Sequence, residues 1–167
     1  MRFIMVTLWV ISVGGYLYNL FTTYGNMTPH ISFPILGSFV SKDVYFFAFT
    51  GLFMAFAFVF YALNQVIYRL PNHLFVIPNK QFWLSTIDNK RALRYLLVNW
   101  NYAAATVVNY FCMYIMLIAE AENHYEGEID NALDWFYKPG LVMFASLVLP
   151  FFRLMVSKVN FGERDTD

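Results

Sequence analysis

Charge is what this sequence lacks most. Only 13% of its 167 residues are Asp, Glu, Lys or Arg, against about 25% in a soluble domain. So small a supply cannot cover a water-facing surface. Cysteine occurs once, at Cys112, which excludes an intrachain disulfide and a cysteine-built metal cage. Cys112 stands inside an apolar run, where a free cysteine is a small packing residue. The three histidines, His30, His73 and His124, are scattered. No nucleotide-binding glycine loop occurs, and neither does G-x-S-x-G, H-E-x-x-H or C-x-x-C. The expectation is a chain with no catalytic, cofactor-binding or metal-ligating residues, one that is not an enzyme.

Hydrocarbon is abundant instead. Hydrophobic residues make up 59% and aromatics 21%, with 19 Phe and 12 Tyr. One small soluble core could not hide them, and lipid is their natural solvent. Residues 3–22 form the first apolar run, and at about 1.5 Å per residue it covers the roughly 30 Å hydrocarbon core. It has no A-x-A cleavage site, so it reads as a span rather than a signal peptide. Residues 44–68 form the second run, in which Gly51 and Ala55 share a helix face and offer a small-x-x-x-small packing seam. Residues 95–119 form the third and most polar run, punctuated by Asn99, Asn101, Thr106 and Asn109. Tyr102, Thr106 and Asn109 share a face there. Interhelical hydrogen bonding, worth about 0.6 kcal/mol per bond, is the plain reading; a polar pathway is the rival, although no ionisable group interrupts the run. Residues 135–157 form the fourth run. It opens on an aromatic belt at Trp135, Phe136 and Tyr137 and carries Pro150, which is expected to kink it.

The connections set the orientation. In residues 69–94, Pro71 and Pro78 stop a single helix. Arg69, Lys80, Lys90, Arg91 and Arg94 face only Asp88, a net +4. The positive-inside rule makes this loop cytoplasmic. Residues 120–134 hold six acids and no Lys or Arg, so they belong on the other side, with residues 23–43. Gly25, Pro29, Pro34 and Gly37 argue against a helix in 23–43, a weakly polar loop expected to fold back onto the bundle. His124 among carboxylates does not match the calcium-loop spacing, and a solvated acidic loop is the reading. One short basic loop does not make a nucleic-acid surface. The fold class expected is an all-α integral membrane protein, one domain over 1–167 with four transmembrane helices and both termini cytoplasmic.

Two segments carry a resemblance. M-T-P-H-I-S-F-P-I-L-G-S-F-V-S-K-D before the second span resembles the signature of a bacterial membrane family of unknown function. That domain also occurs at the start of the immunity protein against a sporulation-delaying toxin. The family pattern is P-x-H-F, a glycine-rich turn, then S-K. His30, Ser41 and Lys42 hold those places, although Pro29 directly precedes His30 and the turn reads Ile35-Leu36-Gly37. V-I-P-N-K-Q-F-W-L after the second span is similar to the family's I-N-L-P-N-K-D-Y-W-L through Pro78, Asn79, Lys80, Trp83 and Leu84. Together these cover about residues 1–115.

The resemblance implies a multi-pass protein of the bacterial inner membrane, where the Asn26-Met27-Thr28 sequon would be an accident. It makes His30, Ser41, Lys42, Pro78, Asn79, Lys80 and Trp83 the candidate binding residues. Their plain structural role would be loop architecture, with Lys80 and Trp83 as interfacial anchors. The function expected is binding without catalysis, as an accessory subunit of a larger membrane complex. The alternative is an immunity or sensor protein that captures a membrane-active peptide through its external loop. Partners expected are membrane lipids and other membrane subunits, with a peptide in the alternative, and no nucleic acid.

Overall fold

The computed structural model describes residues 2–33, 38–124 and 132–155. Five α-helices and a two-stranded hairpin follow one another: α1 Arg2–Asn26, β1 His30–Phe33, β2 Ser38–Ser41, α2 Lys42–Arg69, α3 Lys80–Ser85, α4 Ile87–His124 and α5 Ala132–Met155. A single 3-10 turn, Asn72–Leu74, lies between α2 and α3. The helix limits have local causes. Ser41 caps α2 by accepting from the Val44 N–H at 3.3 Å, and Asp43 and Arg69 sit at the ends where the helix dipole favours them. Leu70 precedes Pro71 and is extended, as the residue before proline must be. Thr86 starts α4, its hydroxyl accepting from the Asn89 N–H at 3.1 Å.

Three helices are long and apolar enough to cross a membrane: Phe3–Asn26, Lys42–Arg69 and Ile87–Asn123. In α5 (24 residues), Tyr137–Leu149 is apolar as well. The chain is a helical membrane protein. Two boundaries differ from the sequence expectation. Residues 87–94 read as loop because of their charge, but Lys90, Arg91 and Arg94 stand on the first turns of α4. Lys, Arg, Ala and Leu are all good helix formers, and Thr86 supplies the cap. Glu120–His124, expected in the acidic loop, finish α4; the rest of that loop, 125–131, lies outside the described residues. The first loop is more regular than expected. Its two strands pair antiparallel, His30 opposite Ser41 and Phe33 opposite Ser38.

The bundle is built on α4, which packs against α1, α2, α3, α5 and β1. α1 lies alongside it in the same direction, since Ser12 bonds Asn109 and Thr23 bonds Glu120 at the same sequence offset. The buried positions along the seam include Ser12, Tyr16, Asn19 and Thr23 on α1, and Ala105, Asn109, Cys112 and Met116 on α4. Both sets alternate steps of four and three, the period of a left-handed coiled coil. Gly15 permits the close approach: a Cβ there would lie 3.2 Å from Met113 Cε. At the end where α1 finishes, Met27, Ile31, Tyr45 and Ala119 close this core. At the other end a second core joins Phe75, Trp83, Leu93 and Leu154.

Polar side chains tie the helices to one another's backbones, using the second lone pair of helix carbonyls. Tyr16 donates to the Phe49 carbonyl at 2.8 Å and Asn101 to the Phe60 carbonyl at 2.8 Å. Trp100 donates to the Leu147 carbonyl at 3.1 Å, in the turn before Pro150. Of the polar trio expected on one face, Asn109 bonds Ser12 Oγ at 3.0 Å. Thr106 returns to its own helix, donating to the Tyr102 carbonyl at 2.9 Å. Buried residues make up 39% of the apolar window of α4 and 22% of that of α1, but only 6% of that of α2.

Candidate functional site

The sequence-singled residues fall at opposite ends of the bundle. At the hairpin end the structure brings together His30, Ser41 and Lys42. His30 pairs with Ser41 in the strand ladder, and the Lys42 N–H donates to the Pro29 carbonyl at 3.1 Å. Thr28 Oγ1 donates to the His30 carbonyl at 2.8 Å and fixes the entry to β1. Ile31, fully buried, plugs the hairpin into the α1–α4 core. The His30 side chain is exposed. The Lys42 ammonium lies 4.8 Å from the centroid of the Tyr24 ring, a cation–π distance. The Tyr24 hydroxyl donates to Asp43 Oδ1 at 2.8 Å. The hairpin base is therefore a small, partly exposed platform carrying one cation, one anion, an imidazole and an aromatic face.

Directly beneath it is a group that sequence reasoning placed in a solvated loop. Glu120, half-buried, accepts from Thr23 Oγ1 at 3.1 Å through one carboxylate oxygen and from Asn26 Nδ2 at 2.9 Å through the other. Asn19, Thr23 and Asn26 are spaced i, i+4, i+7, so one face of α1 presents three polar side chains at this end of the α1–α4 seam. That spacing, together with an acid placed directly after an apolar run, was the signal available in the sequence.

At the opposite end Pro78, Asn79, Lys80 and Trp83 build a turn. Asn79 has φ 56° and ψ 34°, the left-handed region that Asn tolerates better than other non-glycine residues. It is the only non-glycine residue with positive φ among the described residues. The turn starts α3, with the Trp83 N–H on the Asn79 carbonyl at 3.2 Å. Lys80 Nζ donates to the His73 carbonyl at 2.7 Å, which holds the preceding turn. Trp83 is not a surface anchor. It is 2% exposed, and its indole N–H donates to the Leu154 carbonyl at 2.9 Å. Arg94 Nη2 donates to the Leu70 carbonyl at 3.1 Å and secures the end of α2. These residues do architectural work, locking α2, α3, α4 and α5 together.

Among the described residues, no group of three His, Cys, Asp or Glu side chains stands close enough to hold a metal ion. No known protein-family model matches the chain, and neither a curated protein nor a solved structure is detectably similar to it.

Proposed function

We propose that this chain is a non-enzymatic protein of the bacterial inner membrane that acts by binding, as an accessory subunit of a larger membrane assembly. In this reading α5 is a fourth span and both ends are cytoplasmic. Arg69, Lys80, Lys90, Arg91 and Arg94 gather at the α3 end with Asp88, whereas Lys42 stands among Asp43, Glu120 and Glu122 at the hairpin end, an excess of Lys and Arg at the α3 end that fits the positive-inside rule. The observation that carries the reading is α2. Only Tyr45 and Phe49 of its 28 residues are buried. Its Gly51–Ala55 seam is open, since a Cβ on Gly51 would meet nothing within 4 Å. Glycine costs about 1 kcal/mol in a helix interior relative to alanine, and against lipid it gains nothing in return. Against another transmembrane helix it allows close backbone approach. The test is native mass spectrometry of the tagged chain taken from its own membranes in mild detergent. A stoichiometric partner, lost in Gly51→Leu while the protomer stays folded, supports the reading. A lone protomer removes it.

The hairpin favours the second reading, peptide capture. His30, Ser41 and Lys42 are held together on an anchored, partly exposed platform, and an extended peptide can add a strand to a two-stranded sheet. Unchanged peptide sensitivity in cells carrying His30→Ala with Lys42→Ala argues this reading away.

A further inference from the structure

The seam between α1 and α4 leaves one buried amide oxygen without a donor among the described residues. Buried polar groups in an apolar bundle require partners. The Ser12–Asn109 pair is complete at 3.0 Å. Toward the hairpin end the balance fails. Asn19 is 9% exposed, and its Oδ1 is buried with no donor among the described residues. Glu120 accepts from the neutral donors Thr23 and Asn26, the buried Tyr45 hydroxyl is its electrostatic neighbour, and no Lys or Arg pairs with it among the described residues. Asn19 and Thr23 are one helical turn apart on the same face of α1, about 6 Å along the axis. Asn19 therefore stands one turn below the Thr23–Glu120 contact, on the buried face of α1. The Thr23 hydroxyl spends its proton on Glu120 and keeps its lone pairs. Asn26 is exposed, and this marks a route to water.

We propose that this end of the α1–α4 seam binds a small monovalent cation of the sodium class, between the Glu120 carboxylate, the Thr23 hydroxyl oxygen and the Asn19 amide oxygen. The ligand set selects the class. All three ligands are hard oxygens, which excludes soft-metal chemistry. One carboxylate among neutral oxygens balances a single positive charge, whereas sites for divalent ions draw on several acids. Asn26 then acts as a positioning residue, turning the carboxylate toward the seam. The site is independent of the open face of α2, and its failure would leave the subunit reading standing.

The test uses the full chain in detergent. Thermal unfolding is followed by tryptophan fluorescence in sodium, potassium and choline chloride at equal ionic strength. Sodium at about ten times its Kd is expected to raise Tm by roughly 3–6 °C over choline, saturably. Glu120→Gln and Asn19→Leu are each expected to lose that sodium-specific rise. Asn99→Leu, which removes another donorless amide oxygen elsewhere on α4, should keep it. Sodium-23 NMR line broadening on the wild-type chain, displaced by lithium but not by choline, gives a readout that needs no variant to fold. Equal Tm values in the three salts with no broadening overturn the proposal. So does a sodium effect that survives both substitutions. A response to pH alone would overturn it in favour of a proton.

Discussion

Trp83 concentrates at one position the forces that hold the α3 end together. Its ring fills the second core, and its indole N–H reaches the last described turn of α5. Trp83→Phe keeps most of the packing and loses the hydrogen bond, so thermal unfolding in detergent should register a loss of about 1–2 kcal/mol. Trp83→Ala should lose about 3–5 kcal/mol. Wild-type stability in Trp83→Ala would show that this core does not hold α3. Asn79 permits a second test by backbone conformation. Asn79→Gly should fold as well as the wild type, while Asn79→Val should lose about 1–2 kcal/mol because its φ is positive. Equal stability of the two variants would contradict that assignment. The Pro-Asn-Lys turn was legible in the sequence as a break. That Trp83 turns inward was not, because a tryptophan beside a lysine reads the same at a membrane surface as at a helix junction. Only the Leu154 carbonyl, 71 residues away, decides between them.

Among the elements, α4 and α1 carry the fold. Gly14 and Gly15 are adjacent in sequence, yet only Gly15 faces α4. A Cβ on Gly14 meets nothing within 4 Å, and one on Gly15 meets Met113 Cε at 3.2 Å. Gly14→Leu should therefore leave thermal stability unchanged or raise it slightly. Gly15→Leu should displace the Met113 side chain and lower Tm. Equal tolerance of both would contradict the seam. The apolar runs and their order were readable from hydropathy, since length and composition suffice for a span. The seam was only half readable. Asn109 stood out as polar in an apolar run, but its partner Ser12 is 97 residues distant, and no local pattern pairs them. The hairpin is not legible in the sequence for a different reason. Pro29 and Pro34 signalled the end of helix without revealing that four-residue strands would follow. Glu120 reads as loop from the sequence because its charge masks the helix that it ends.

For the whole molecule, the proposed orientation predicts a labelling pattern. Val76, 97% exposed, lies at the α3 end and His30 at the hairpin end, while the single native Cys112 is buried. A membrane-impermeant maleimide should label His30→Cys in intact cells, and Val76→Cys only after the cells are opened. The reverse pattern would invert the topology. The asymmetry of the bundle is the larger consequence. α4 packs against four other helices, and α2 leans on it through Tyr45, Phe49 and the Asn101 bond to Phe60, leaving the Gly51–Ala55 face open. A photo-crosslinking amino acid placed at Ala55 in native membranes tests most directly whether a second transmembrane helix covers that face. The account predicts one discrete protein adduct of defined mass from Ala55, and none from the same probe at Phe3, an exposed position on α1. Lipid adducts alone at Ala55 would contradict it.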